Sequence, residues 1–343
     1  MGKVATREAY GKALAEYGAD ERIIVLDADL SKSTKTDTFK KVYPERHFNM
    51  GIAEGNMMSV AAGLAATGKV VFASTFAIFA AERACEQIRN AICYPKLNVK
   101  VCATHAGLTV GEDGASHQCI EDLAVMRALP NMLVLSPCDE IETKLAIKAA
   151  IDHEGPVYVR LGRLGVEAVH DPETFKFEVG KGVEIKEGTD LTIVATGLMV
   201  QESLKAAEIL AEKGVNARVI DMHTIKPIDT EILVKAAKET GFIVTVEEHN
   251  IAGGLGGAVC EALSQNYPCK VKMIGVSIMR STGSDKITTQ ELARQMDTTV
   301  RNANRIMLNL CKGGAAKPVY TQTSHSRGRP IQIYALDFDV HIP

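Results

Sequence analysis

The chain has 343 residues, 39 Lys and Arg against 42 Asp and Glu for a net charge of −3, no Trp and only 5% aromatic residues. That length leaves room for two domains, the near-even charge balance gives no footing for nucleic acid, and no apolar run is long enough to span a membrane. The opening MGKVATREAYGKAL lacks the apolar core of a secretory signal, and eight Cys with no CxxC pair or His/Cys ligand spacing read as reduced thiols of a cytoplasmic protein with no metal site.

Residues 5–17 predict a helix, 22–27 (RIIVLD) a buried strand ending in Asp27-Ala28-Asp29, and 31–37 a polar loop. The next stretch, HFNMGIAEGNMMSVAAGLAATG at 47–68, organises the rest. A short extended entry leads to a turn at Gly51 and a small-residue helix over 53–67, with Glu54 near its start. A helix so rich in Ala and Gly presses closely on its neighbours. A carboxylate at its buried end needs a partner, because an unpaired buried charge costs several kcal/mol or is neutralised. Two readings stand: an acid favoured by the helix dipole, or an acid/base group reaching a bound heterocycle.

A strand over 69–73, a helix over 78–92 and a strand over 99–104 follow, then a Gly-rich polar loop at 105–117. A helix (119–128), strand (132–136), helix (140–151) and strand (157–161) complete the set. Apolar strands alternating with helices imply a mostly parallel sheet covered on both faces. Ligands in such sheets sit at the carboxyl ends of strands. Segments 27–33, 76–79, 105–117 and 160–163 all follow strands and are expected on one edge. The 105–117 loop sets His105 and His117 beside Glu112 and Asp113 among three Gly. Imidazoles there suit proton transfer near neutrality and hydrogen bonding to hydroxyls. Phe76 and Phe79, read without further context, fit a core pair better than an aromatic platform for a cofactor.

A second, smaller alternation begins with a strand at 191–196, and its last clear strand is 270–276. Between them lie helices at 200–213 and up to 240 and 265, strands at 217–222 and 242–248, and a turn at 223–229. The run Gly253-Gly254-Leu255-Gly256-Gly257 lacks GxGxxG spacing and follows Glu247-Glu248-His249, which would repel phosphate. It reads as a tight turn with close helix packing.

ATREAYGKAL, DADLS, FNMGIAEGNM, TFAIF, ATHAGLTVGEDGASHQ and GPVYVRLGR, in this order, resemble the pyrimidine-binding domain of transketolase, and DMHTIKPID and VEEHNIAGGLGGAV resemble its C-terminal domain. The likeness covers about residues 3–276 and is nearest to the separately encoded C-terminal half of a split transketolase. It implies an α/β protein of two three-layer α/β/α domains, a thiamine-diphosphate-binding pyrimidine-type fold followed by a transketolase C-terminal domain. The expected boundaries are 1–170 and 190–310, with a linker at 171–189 and an atypical tail at 311–343.

The resemblance also implies roles. Glu54 would hydrogen-bond the aminopyrimidine of thiamine diphosphate and promote the tautomer that removes the thiazolium C2 proton. Phe76 and Phe79 would line the aminopyrimidine pocket, where Glu82 stands in place of the family's usual tyrosine-like contact. Asp29 would lie near the cofactor and a subunit interface. His105 and His117 would touch the reacting oxygens of the substrate, and Asp113 the neighbouring hydroxyl. Arg7, Ser33 and Arg163 would hold sugar phosphate, with Arg160 an alternative to the last; Arg suits phosphate through bidentate binding.

The chain contains no GDG element, which transketolases use to hold diphosphate through Mg2+. The expectation is therefore a partner chain, an N-terminal transketolase subunit that supplies the diphosphate and Mg2+ site, in a heterotetramer acting on sugar phosphates in the pentose phosphate pathway. A helix is expected over 298–310, and 312–343 matches no family pattern. Two alternatives stay open: half of a 1-deoxyxylulose-5-phosphate synthase-like or 2-oxoacid dehydrogenase β-like enzyme, or a non-catalytic scaffold subunit.

Overall fold

The computed structural model describes residues 2–278, 286–288, 316–322, 331–336 and 338–339. The described residues of Met1–Val110 with Gln118–Ile274 form one compact unit, and those of Gly111–His117 with Gly275–Pro343 form another.

The first unit is built on two sheets. In the larger, the strands run in the order Thr224–Lys226, Leu133–Leu135, Val157–Arg160, Val99–Thr104, Val70–Phe76, Ile23–Asp27, His47–Asn49. All pairs are parallel except the edge pair of Thr224–Lys226 with Leu133–Leu135. The central strands Val70–Phe76 and Val99–Thr104 are buried at every position, as strands covered on both faces must be. Register brings their carboxyl ends level: Asp27 pairs with Ser74, Phe76 with Thr104 and Ala103 with Arg160. Segments 27–33, 76–79, 105–110 and 160–163 therefore leave the sheet at one edge, and the rest of the expected stretch, 111–117, belongs to the second unit.

The Glu54–Ala66 helix buries Glu54, Met57, Met58, Ala61, Ala62 and Ala65. Its methionines and alanines share one core with Val71, Ala73, Val101 and Ala103 of the sheet. At about 25 cal/mol per Å2, each Met withdrawn from water here contributes roughly 1.5–3 kcal/mol.

The second sheet places Leu191–Ala195 between Phe242–Asn250 and Ala217–Asp221, with both pairs parallel. Asp229 caps the Thr230–Thr240 helix through Glu231 and Ile232 N–H groups.

Several elements differ from expectation. The region 78–92 is not a regular helix: π-type turns at Phe79–Arg83 and Ile88–Cys93 flank a short α turn, Cys85–Gln87. The 31–37 loop contains the helix Ser31–Thr34, because Asp27 Oδ2 accepts from Thr34 Oγ1 at 2.6 Å and Thr36 Oγ1 at 3.0 Å and winds the chain beneath the strand end. The 223–229 turn contains Thr224–Lys226, which leaves the second alternation to edge the first sheet. Within 171–189, Val183–Lys186 pairs antiparallel with Ala217–Asp221.

In the second unit Ile331–Leu336 pairs antiparallel with Lys286–Thr288 and Ala316–Gln322. Pro318 lies in the edge strand, the place a residue without an N–H is tolerated. The expected helix over 298–310 lies outside the described residues.

Candidate active site

Glu54 opens its helix with a side chain only 1% exposed, and Arg83 Nη1 donates to its Oε2 at 2.9 Å. The buried acid therefore has the partner that its burial demands. The Arg83 guanidinium also lies over the Phe79 ring, 4.5 Å from the centroid. Phe79 stacks on Phe76 with centroids 5.9 Å apart and planes 7° from parallel. Phe76 in turn stacks on the His105 imidazole at 3.9 Å. One continuous series thus runs from carboxylate to guanidinium, two phenyl rings and an imidazole.

His105 follows the strand Val99–Thr104 directly and sits at φ +58, a left-handed conformation uncommon for a non-glycine residue. Its Nε2 is 3.3 Å from Arg7 Nη1 and its Nδ1 is 2.9 Å from Thr104 Oγ1. A guanidinium has no acceptor, so Nε2 must accept; the neutral ring then carries its proton on Nδ1 and donates to threonine. Arg7 also donates to the Ser33 carbonyl at 2.9 Å. Burial first, and then the nearby Arg163 guanidinium, pull the Arg7 pKa down from its ordinary value. Arg7 is thus the cation in contact with His105, and Arg163 adds positive charge near Arg7.

Asp29 is exposed at φ +65, and its Oδ1 accepts from Asn49 Nδ2 at 2.7 Å. Glu82 is exposed. Asp113 and His117 lie on 111–117, in the second unit, where the His117 N–H donates to the Gly114 carbonyl at 3.0 Å and Ser116 Oγ lies 2.9 Å from His117 Nδ1. Glu54, Phe76, Phe79, His105, Arg7, Ser33, Arg163 and Asp29 all lie in the first unit.

Arg160 does not take the phosphate-contact role left open for it. It is 7% exposed, its Nε donates to Asp122 Oδ2 at 2.8 Å and its Nη2 to the Glu248 carbonyl at 2.9 Å. Burial opposes its charge, but the Asp122 carboxylate outweighs that and raises its pKa. The Glu248 carboxylate accepts from the Thr109 N–H at 2.6 Å and so pins the chain just beyond His105. Gly107, at φ +82, gives that carboxylate room: a Cβ there would lie 2.4 Å from Glu248 Cδ.

The Gly-rich turn at 253–257 is no anion site. Glu247 fills the start of the Leu255–Asn266 helix, accepting from Leu255 N at 2.6 Å and Gly256 N at 2.8 Å. Burial pushes the Glu247 carboxyl up to about 7, against the pull of those two amides. A Cβ on Gly254 would sit 2.0 Å from Glu247 Oε2, so the glycine is a packing requirement.

Sequence reasoning missed Arg83. The signal was present in two parts: Glu54 needed a cation, and Arg83 follows Phe79 by four residues, which shares a helical face.

Residues 2–167 match the family profile for the transketolase pyrimidine binding domain, and residues 180–293 that for the transketolase C-terminal domain. The chain belongs to the transketolase family. A "Putative transketolase C-terminal section" of Methanocaldococcus jannaschii is 56% identical over 262 residues, 76% of this chain and 82% of that one. The 6-deoxy-6-sulfo-D-fructose transketolase subunit SqwH of a Clostridium species is 41% identical over 79% of this chain and 84% of its own. A solved structure described as a split gene transketolase, inactive beta4 tetramer, superposes with a TM-score of 0.76 at 53% identity, covering 91% of this chain and 98% of that one. Among the described residues of this transketolase-family chain, no helix is long and apolar enough to cross a membrane.

Proposed function

We propose that this chain is the C-terminal subunit of a split, thiamine-diphosphate-dependent transketolase that moves a two-carbon ketol unit from a ketose phosphate to an aldose phosphate. The observation that carries this reading is the buried Glu54 carboxylate at one end of the Arg83, Phe79, Phe76 and His105 series, on the carboxyl edge of the sheet. That donor set fits the aminopyrimidine half of the cofactor: apolar rings for its face and a buried acid for its ring nitrogen. No GDG element is present for diphosphate and Mg2+, which supports assigning those to a partner chain in a heterotetramer.

The cofactor, when bound, supplies the carbanion chemistry that carbon–carbon transfer requires. Glu54 holds a proton at the aminopyrimidine nitrogen. Phe76 and Phe79 orient the ring and exclude water. His105 would meet a substrate oxygen, and its contact with Arg7 leaves Nε2 as the acceptor and Nδ1–H as the donor. Arg7 and Arg163, with Ser33, bind the phosphate end of the sugar. Asp29 completes the cofactor contacts proposed for the first unit. The solved relative described as an inactive tetramer supports expecting no ketol transfer from this chain alone.

The test is reconstitution. The chain is combined with a transketolase N-terminal subunit, thiamine diphosphate and Mg2+, and assayed with a ketose phosphate donor and an aldose phosphate acceptor. Transfer by the pair, none by either chain alone, and its loss in Glu54→Ala are expected. Robust transfer by this chain alone would refute the two-chain reading. Wild-type rates in Glu54→Ala would refute the catalytic one and favour a scaffold.

A further inference from the structure

Four buried groups that the Glu54 to His105 series does not use converge on one point. Cys138 follows the strand Leu133–Leu135, Glu142 lies in the first turn of the Glu140–Asp152 helix, His170 follows the strand Gly165–Val166, and Asp221 ends the strand Ala217–Asp221. One ligand atom from each lies within 4.8 Å of the others. Asp221 Oδ2 is 3.0 Å from His170 Nε2 and 3.3 Å from Cys138 Sγ, and His170 Nε2 is 3.6 Å from Glu142 Oε1. A tetrahedral zinc ion with bonds of about 2.0–2.3 Å sets its ligands roughly 3.3–3.8 Å apart. The 3.3 and 3.6 Å edges fall within that spacing, and the 3.0 Å edge needs to open by a few tenths of an ångström.

The polar bookkeeping points the same way. Glu142 and Asp221 are fully buried, yet Glu142 Oε1 and Asp221 Oδ1 have no hydrogen-bond partner. A buried carboxylate oxygen left unmatched is costly. Several neighbouring polar atoms hold the ligands still. Glu142 Oε2 accepts from Cys138 N at 2.7 Å, which leaves Oε1 as the outstanding oxygen. Asp139 accepts from the amides of Glu142, Val169 and His170 and so ties three of the four segments together. The His170 ring is fixed by stacking on Phe175 at 3.8 Å. Cys138 shares an apolar cluster with Ala195 and Val200, which keeps the pocket dry.

We infer that Cys138, Glu142, His170 and Asp221 form a structural site for a divalent metal ion of zinc-like softness. Thiolate, imidazole and carboxylate together suit zinc, and a site with all four protein ligands in place is of the closed, structural kind. Binding displaces the thiol proton of Cys138 and the protons held between His170 and the two acids, and releases them to solvent. The ion would clamp the end of one sheet's strand to the end of the other's. The spacing of these ligands, 4, 28 and 51 residues, hides the site from any motif search.

The test uses the purified full chain. After incubation with zinc and exhaustive dialysis, elemental analysis is expected to show one zinc per chain. Cobalt is expected to give a sulfur-to-metal charge-transfer absorption. Cys138→Ser should lose that absorption and bind zinc at least about tenfold more weakly. Cys119→Ser, which changes another buried thiol, should keep both. Should Cys138→Ser fail to fold by circular dichroism, the wild-type melting temperature decides: it should rise with zinc and fall with chelator. No retained zinc, a melting temperature indifferent to zinc and chelator, or a charge-transfer band that survives in Cys138→Ser would overturn the assignment.

Discussion

Replacing Asp122 by Ala strands a buried cation, Arg160, which is 7% exposed. Asp122 is fully buried and receives Arg160 Nε at 2.8 Å, Arg160 Nη2 at 3.2 Å and the Tyr158 hydroxyl at 2.8 Å. At an effective dielectric constant of about 20, charges 2.8 Å apart attract by roughly 6 kcal/mol. Desolvation has already consumed part of that in the native state, so breaking the pair should cost about 3–5 kcal/mol. Urea unfolding followed by circular dichroism measures it. The reasoning makes a second, sharper claim: Asp122→Leu combined with Arg160→Met should be less destabilising than Asp122→Ala alone, since no unpaired charge then stays buried. Asp122 adds a pH signature. Burial raises its pKa, but Arg160 and its other partners lower it overall from 3.8, so its stabilisation is present above pH 3.8 and is lost as pH falls through the depressed folded value. A loss under 1 kcal/mol in Asp122→Ala, or a double variant worse than the single, would refute this account.

Arg83→Ala should leave the buried Glu54 without its cation and cost about 1–3 kcal/mol in urea titration; a change under 0.5 kcal/mol would count against the pairing. Gly107→Ala places a Cβ 2.4 Å from Glu248 Cδ at φ +82, so a loss of roughly 1–3 kcal/mol and slower turnover of the reconstituted pair are expected, read by unfolding and ketol-transfer assays. Lys100 is buried with its Nζ on the His153 and Gly155 carbonyls, and burial drags its pKa from 10.5 to about 7. The unfolded chain then binds the extra proton between those values, so stability should rise with pH there. From pH 7 to 9 the wild type should gain up to about 2.7 kcal/mol relative to Lys100→Met, measured by parallel denaturant titrations.

The sequence by itself determined the alternation of elements, and with it a parallel sheet whose loops collect at one edge. The strand Val70–Phe76 is buried throughout and mostly apolar, with Ser74 and Thr75 near its end, because both faces are covered, and that pattern is visible in one dimension. Glu54, Phe76, Phe79 and His105 could be singled out as candidates for the same reason: each ends a strand, directly follows one, or opens a helical turn. Only the tertiary structure decided which charges meet. Arg83 on Glu54, Arg160 on Asp122 and Glu247 on the Leu255–Asn266 helix join residues 29, 38 and 8 positions apart. The Cys138, Glu142, His170 and Asp221 group draws on strand ends of both large sheets, on a helix, and on the segment after Gly165–Val166. Hydrophobic periodicity reports only which face of an element is dry. The position of a buried charge's partner depends on how separate elements pack, and that is absent from local spacing.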